Sequence, residues 1–255
     1  MLMEKVNVYG IDGSKKEEIK LPQVFDTSVR TDLIRKSFNT LHANRRTPYG
    51  ANKFAGTKHA TASVGKGRGM SRVPRLTQGR RAALAPCVVG GRRAHPPTAD
   101  KNWKEKINKK EKLLAKRSAL AATAQKEMVT QRGHRFKNSL TLPIVVEDSF
   151  SKLGKTKEVL KTLENIGVID DINRSKNGVH IRAGKGKCRG RKYKTPKSIL
   201  IISSDDSIKK GSKNINGIDV VNPEKLNIEH LAPGGDSGRL TIITKSALNT
   251  IGGTN

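Results

Sequence analysis

No acidic residue lies between Asp32 and Asp100. Within that gap, residues 45–99 carry twelve Lys/Arg and no Asp or Glu. Such a run cannot be buried, because an unpaired charge out of water costs far more than packing returns. Nor can it form a regular surface element. It holds eight glycines and five prolines (Pro48, Pro74, Pro86, Pro96 and Pro97). Its apolar residues are isolated, with no sustained period of 2 or 3.6. The segment therefore reads as a long loop inserted in a folded body.

A second acid-free run, residues 172–204, carries ten Lys/Arg. The whole chain has a formal charge of +29, from 51 Lys+Arg against 22 Asp+Glu, so the other 167 residues hold only +7. They resemble an ordinary globular sequence. A charge excess this large opposes compaction and calls for a polyanionic partner.

The remaining pattern predicts an α/β domain. Val6–Tyr9 reads as a strand, with Ile19–Leu21 pairing back. A helix with an apolar stripe follows from about Ser28 to His42, capped by Asp26 or Ser28. A helix over about Asn102–Gln125 places Trp103, Ile107, Leu114 and Ala121 on one face and a cationic face opposite. That face reads equally well as solvated or as a polyanion contact. LPIVVE (142–147), SILIIS (198–203), IDVV (218–221) and LTIIT (240–244) are aliphatic on both faces, as buried strands are. Thr156–Ile166 is a helix stopped by Gly167, Asn222-Pro223-Glu224 is a helix start, and residues 245–251 form a last short helix. These elements give a three-layer domain from residues 1–44 and 100–255, with a mainly parallel sheet of four to five strands flanked by helices. The extended basic loop 45–99 is inserted in it. So long a loop is expected in a compact domain only if it orders on a partner.

Enzyme signatures are weak. Gly65-Lys66-Gly67-Arg68-Gly69 has Met70 where a dinucleotide fingerprint continues, and no strand precedes it. Gly178 to Lys185 nearly spells a phosphate loop, but five residues separate Gly178 from Gly184, and Gly186 replaces the magnesium-binding hydroxyl. The six histidines are scattered, and Asp170-Asp171 and Asp205-Asp206 read as strand-edge or cap residues. No catalytic residue, metal or cofactor is expected. Cys87 and Cys188 have no CxxC neighbour, which fits a reducing compartment. MLMEKVNVYG lacks a signal core, and the longest aliphatic run is Ile199–Ile202, so a soluble, intracellular protein is expected.

The chemistry that is present suits phosphate. Arg forks onto phosphate oxygens, and glycine lets backbone N–H groups approach a sugar-phosphate chain. The candidate cations in the loop are Arg45, Arg46, Lys53, Lys58, Lys66, Arg68, Arg72, Arg75, Arg80, Arg81, Arg92 and Arg93. Lys109, Lys110 and Arg117 lie on the helix. Arg182, Lys185, Lys187, Arg189, Arg191 and Lys192 lie in RAGKGKCRGRKYKTPK (182–197), where eight of sixteen residues are cationic. The loop holds only Tyr49 and Phe54 as aromatics, so stacking is not expected to be its main mode. Threading into compactly folded RNA fits better than reading duplex DNA.

GKGRGMSRVPRLTQGRRAALAPCVVGGRRAHPP, followed by KINKKEKLLAKRSALAATA, resembles the universal large-subunit ribosomal protein four family in its archaeal form. Gly65, Gly67, Arg68 and Arg72 match the family's loop motif. Asn108-Lys109-Lys110 and Arg117-Ser118-Ala119-Leu120 match its helix motif. The resemblance runs from Val6 to LTIITKSAL and is most specific over residues 50–122. Eukaryotic relatives carry a long basic C-terminal extension, and ending at Asn255 accords with the archaeal form. The resemblance implies a four-stranded parallel sheet within three layers. It implies a non-enzymatic component of the large subunit, with large-subunit rRNA and other ribosomal proteins as partners. It further implies a loop tip lining the nascent-peptide exit tunnel. On this chain that tip is Val64, Gly65, Gly67, Gly69, Met70, Val73 and Pro74. No membrane, small-molecule substrate or homo-oligomer is expected. Binding to its own messenger, an RNA-modifying activity and chromatin-type DNA binding stand as alternatives.

Overall fold

A computed structural model describes residues 5–253. The chain divides into two compact units: residues up to His42 together with those from Lys106 onward, and Ala43–Glu105.

The first unit is built on a six-stranded sheet. Its strands are β1 (Lys5–Tyr9), β2 (Lys15–Lys20), β5 (Ile144–Val146), β8 (Leu200–Ile202), β9 (Asp219–Val221) and β10 (Thr241–Thr244), in spatial order β2-β1-β5-β10-β8-β9. Five strands run parallel, and β2 is an antiparallel edge that pairs Val6 with Ile19. The apolar pattern marks only Ile19–Leu21 for β2. The strand reaches back to Lys15 because an edge strand needs only one apolar residue facing inward, and KKEEIK leaves its charges in water.

Side chains alternate between two cores. Val8, Val145, Leu200, Ile202 and Ile243 face one side, where they meet α1 (Thr31–Asn44), α2 (Lys109–Ala124), α7 (Ile228–Leu231) and α8 (Lys245–Gly253). Tyr9, Ile144, Val146, Ile201 and Ile242 face the other. There they meet α3 (Lys126–Gln131), α4 (Thr156–Ile166), α5 (Ile169–Asn177) and α6 (Ser207–Ser212). Both faces are covered, which is why the central strands contain no polar alternation. The result is the expected three-layer, mainly parallel α/β domain, with one more strand than the upper count.

Several boundaries differ from the sequence reading. Helix α2 begins at Lys109, not near Asn102. The Asn102 Oδ1 accepts from Lys104 N, and Asn44 Oδ1 accepts from Glu105 N while its Nδ2 donates to Glu105 O. Side chains have taken the backbone groups that a helix would need. Trp103 and Ile107 are consequently not on that helix, and Leu114, expected on its apolar face, is exposed. Asn222-Pro223 starts only a single 3-10 turn, Pro223–Lys225, with Asn222 Oδ1 accepting from Glu224 N. Helices α3, α5 and α6 are absent from the sequence reading. Helix α4 has the bounds expected, and Gly167 ends it in the left-handed region at φ 93°.

The second unit is not structureless, contrary to the aperiodic reading. β3 (Thr61–Ala62) pairs antiparallel with β4 (Arg75–Leu76), and Arg75 bridges back to Ala82. Such two-residue ladders leave no hydrophobic period to read. The ends of the unit lie beside each other, with Ala51 N donating to Pro97 O at 2.8 Å.

Candidate nucleic-acid interface

Between β3 and β4 the chain crosses the glycine-rich turn. Gly65, Gly67 and Gly69 have φ of 74°, 77° and 62°, and a Cβ on any of them would meet nothing within 4 Å. The glycines here serve conformation and not packing: a side chain would fit the space but not the backbone. Met70 is exposed, and Val64, Val73 and Pro74 are half-buried.

Two arginines order this unit. Arg75 Nη1 donates to Arg80 O at 2.7 Å and Nη2 to Ser71 O at 3.5 Å, while Arg81 Nη2 donates to Val89 O at 3.3 Å. The side chains of Arg46, Lys53, Lys58, Lys66, Arg68, Arg72, Arg80, Arg92 and Arg93 belong to exposed residues. Arg46 and Lys58 lie over the rings of Trp103 and Phe54.

In the first unit the basic stretch 180–194 is a hairpin. β6 (His180–Ile181) pairs with β7 (Tyr193–Lys194), and a 3-10 turn, Lys185–Arg189, makes the tip. Arg182 N donates to Lys192 O, and its Nε donates to Arg191 O. Lys185, Lys187, Arg189, Arg191 and Lys192 point from this short ladder with no acid among them. On α2, Lys109 and Lys110 are exposed, whereas Arg117 is half-buried and its Nε has no acceptor.

A network that sequence reasoning missed holds the hairpin's root. Asp171, fully buried in the first turn of α5, accepts from Ser198 Oγ at 2.6 Å, Arg174 Nε at 2.9 Å, Arg135 N at 3.0 Å and His134 Nδ1 at 3.0 Å. Burial opposes its ionisation, but the bonds from His134, Arg174 and Ser198 outweigh it and hold the carboxyl well below the usual carboxylate range. Desolvation pushes His134 below its ordinary value, partly offset by Asp171. Arg174 Nη2 then donates to Lys197 O and Ser175 Oγ to Pro196 O, both in the irregular segment between β7 and β8. Arg239, 0% exposed, donates from Nε to Ser198 O and pairs with Asp219 at 2.6 Å. Asp171 is thus neither a plain cap nor an edge residue. Its partners lie 3 to 37 residues away, so no local pattern announces it.

The acids of the first unit are largely committed to body cations, as in Lys16–Glu147, Lys36–Glu111, Lys197–Asp219 and Lys245–Glu17. Arg45 aside, none of the candidate cations forms an ion pair among the described residues. Also among the described residues, no group of three or more His, Cys, Asp or Glu could hold a metal, and no helix is long and apolar enough to cross a membrane.

A closed α/β body whose surplus cations gather on a glycine-rich insertion, a hairpin and a helix start defines a basic scaffold of the polyanion-binding class. A family model described as ribosomal protein L4/L1 family matches residues 19–254. Large ribosomal subunit protein uL4 of Thermoplasma acidophilum is 47% identical over 247 residues, covering 97% of each chain. The uL4 proteins of Methanocaldococcus jannaschii and Methanococcoides burtonii are each 48% identical. They cover 97% and 98% of this chain, and 98% and 99% of their own lengths. The chain belongs to the ribosomal protein L4/L1 family.

Proposed function

We infer that this protein is a structural, non-catalytic constituent of the large ribosomal subunit that binds its rRNA. The observation that carries the reading is the segregation of unpaired cations onto the insertion, the hairpin and the start of α2, within a chain of this family. Phosphates packed together by RNA folding supply the counter-charge that the chain lacks. The globular body stays outside the RNA, while residues 45–99 act as an arm that enters it. As a hairpin of about 27 residues per side, the arm reaches at most about 90 Å. Its tip, Val64 to Pro74, helps form the wall of the nascent-peptide exit tunnel and meets the emerging chain and neighbouring ribosomal proteins. The protein works in the cytoplasm as a single copy within the particle.

The test is deletion of residues 60–80. The globular unit should keep its melting transition, and large subunits should assemble defectively or show altered nascent-chain transit. Normal assembly and transit with the deleted protein present would refute the arm's role. Loss of the full-length protein from large subunits after a high-salt wash would refute the structural role.

A further inference from the structure

Trp103 is the chain's one tryptophan, and it sits in an unusual place. Its ring stacks on Tyr49 with centroids 5.7 Å apart and planes 20° from parallel. The Arg46 guanidinium carbon lies 3.9 Å from its centroid and the Lys101 Nζ 4.5 Å. Two like charges on one indole repel each other, and neither Arg46 nor Lys101 forms an ion pair among the described residues. The indole N–H is covered and has no acceptor. Tyr49, held on one side by Trp103, is nonetheless 55% exposed. Arg46 also lies 5.9 Å from the Tyr49 centroid, so an exposed aromatic ring and two cations without an anion meet around one stacked pair within one compact unit.

We propose that Trp103, Tyr49, Arg46 and Lys101 form a nucleotide-docking site for an unpaired RNA residue. The base stacks on Tyr49, and its phosphate lies between Arg46 and Lys101. A ligand for this site needs a flat apolar face and a negative charge, and an unpaired nucleotide has both. In a duplex the base faces are consumed by neighbouring bases, so the site selects a bulge, loop or single strand. The cations already resting on the indole add to the platform's pull and keep it preorganised. The inference rests on the rRNA-binding reading above and adds to it a contact with a base, which backbone neutralisation alone does not provide.

Because no other residue gives indole emission, Trp103 reports on its own site. The full-length protein is titrated with a short single-stranded RNA, with an abasic ribose-phosphate chain of equal length, and with the same RNA as a duplex. The single strand should quench Trp103 saturably. The abasic chain and the duplex should bind through their phosphates but quench Trp103 much less than the single strand does. Tyr49→Ala should weaken single-strand binding about five- to 150-fold without altering the salt slope, and Tyr49→Phe should restore it. Equal quenching by the abasic chain, or unchanged affinity in Tyr49→Ala, would overturn the docking site while RNA binding stood. If neither the RNA nor the abasic chain bound, the rRNA reading would fall with it.

Discussion

Removing the Asp171 carboxylate should destabilise the globular unit more than any other single carboxylate change. Asp171 is 0% exposed and accepts bonds from His134, Arg135, Arg174 and Ser198. In Asp171→Ala the Arg135 N–H, the Ser198 hydroxyl and the His134 N–H are left without their acceptor together. Arg174, partly exposed, turns to water and keeps its bond to Lys197 O. Breaking a buried pair from one side costs about 3–5 kcal/mol. At about 2–4 °C per kcal/mol for a chain of this size, the melting temperature should fall by roughly 6–20 °C. Asp171→Asn retains the shape, and a rotated hydroxyl and the other His134 tautomer accommodate its amide, so about 2 kcal/mol is expected. The matched control is Asp170→Ala, one residue away and exposed, which should lie within about 0.5 kcal/mol of wild type. Thermal unfolding followed by circular dichroism, without RNA, measures all three. Should Asp171→Ala melt within a degree or two of Asp170→Ala, the network would not hold the fold as argued. A functional consequence follows, since the same network anchors Pro196 and Lys197 behind the basic hairpin. Asp171→Asn should therefore weaken RNA binding even at temperatures where the body remains folded.

Replacing Arg182, Lys185, Lys187, Arg189, Arg191 and Lys192 by Gln should lower the log–log salt slope of RNA binding by about 0.7–0.9 for each phosphate that is no longer neutralised, leaving the melting temperature nearly unchanged; an unaltered slope would remove the hairpin from the interface. Gly217→Ala should be severely destabilising, because its φ is 79° and a Cβ would lie 2.3 Å from Ser175 Oγ and 2.5 Å from Pro196 O, whereas Gly67→Ala should cost only about 1–2 kcal/mol of local backbone strain. Unfolding temperatures of the two variants separate them. Stability should fall on acidification in two stages. His134 and His230 sit below their ordinary value in the fold, so the unfolded chain takes up their protons first as pH drops below about 6.5. The Asp171 contribution, complete above the unfolded carboxylate value of about 3.9, is lost as pH falls further toward its lower folded value. A melting temperature flat from pH 7 to pH 3 would contradict both.

What the linear chain settled by itself was charge segregation and the elements whose reasons are local. The acid-free run 45–99 had to stay out of a buried core wherever the rest folded, because no charge within it can neutralise its cations. Aliphatic strands such as Leu200–Ile202, and a helix ended by Gly167, were legible because both the pattern and the stop signal lie within a few residues. The tertiary structure decided what depends on distant partners. Asn44 and Glu105, 61 positions apart, exchange hydrogen bonds that unwind the expected start of α2 and free Trp103 to stack on Tyr49. Asp171 finds His134 across 37 residues, and Arg239 finds Ser198 across 41. A buried polar group is satisfied by whichever donors the fold brings within about 3 Å, and that proximity is a property of the packed chain alone.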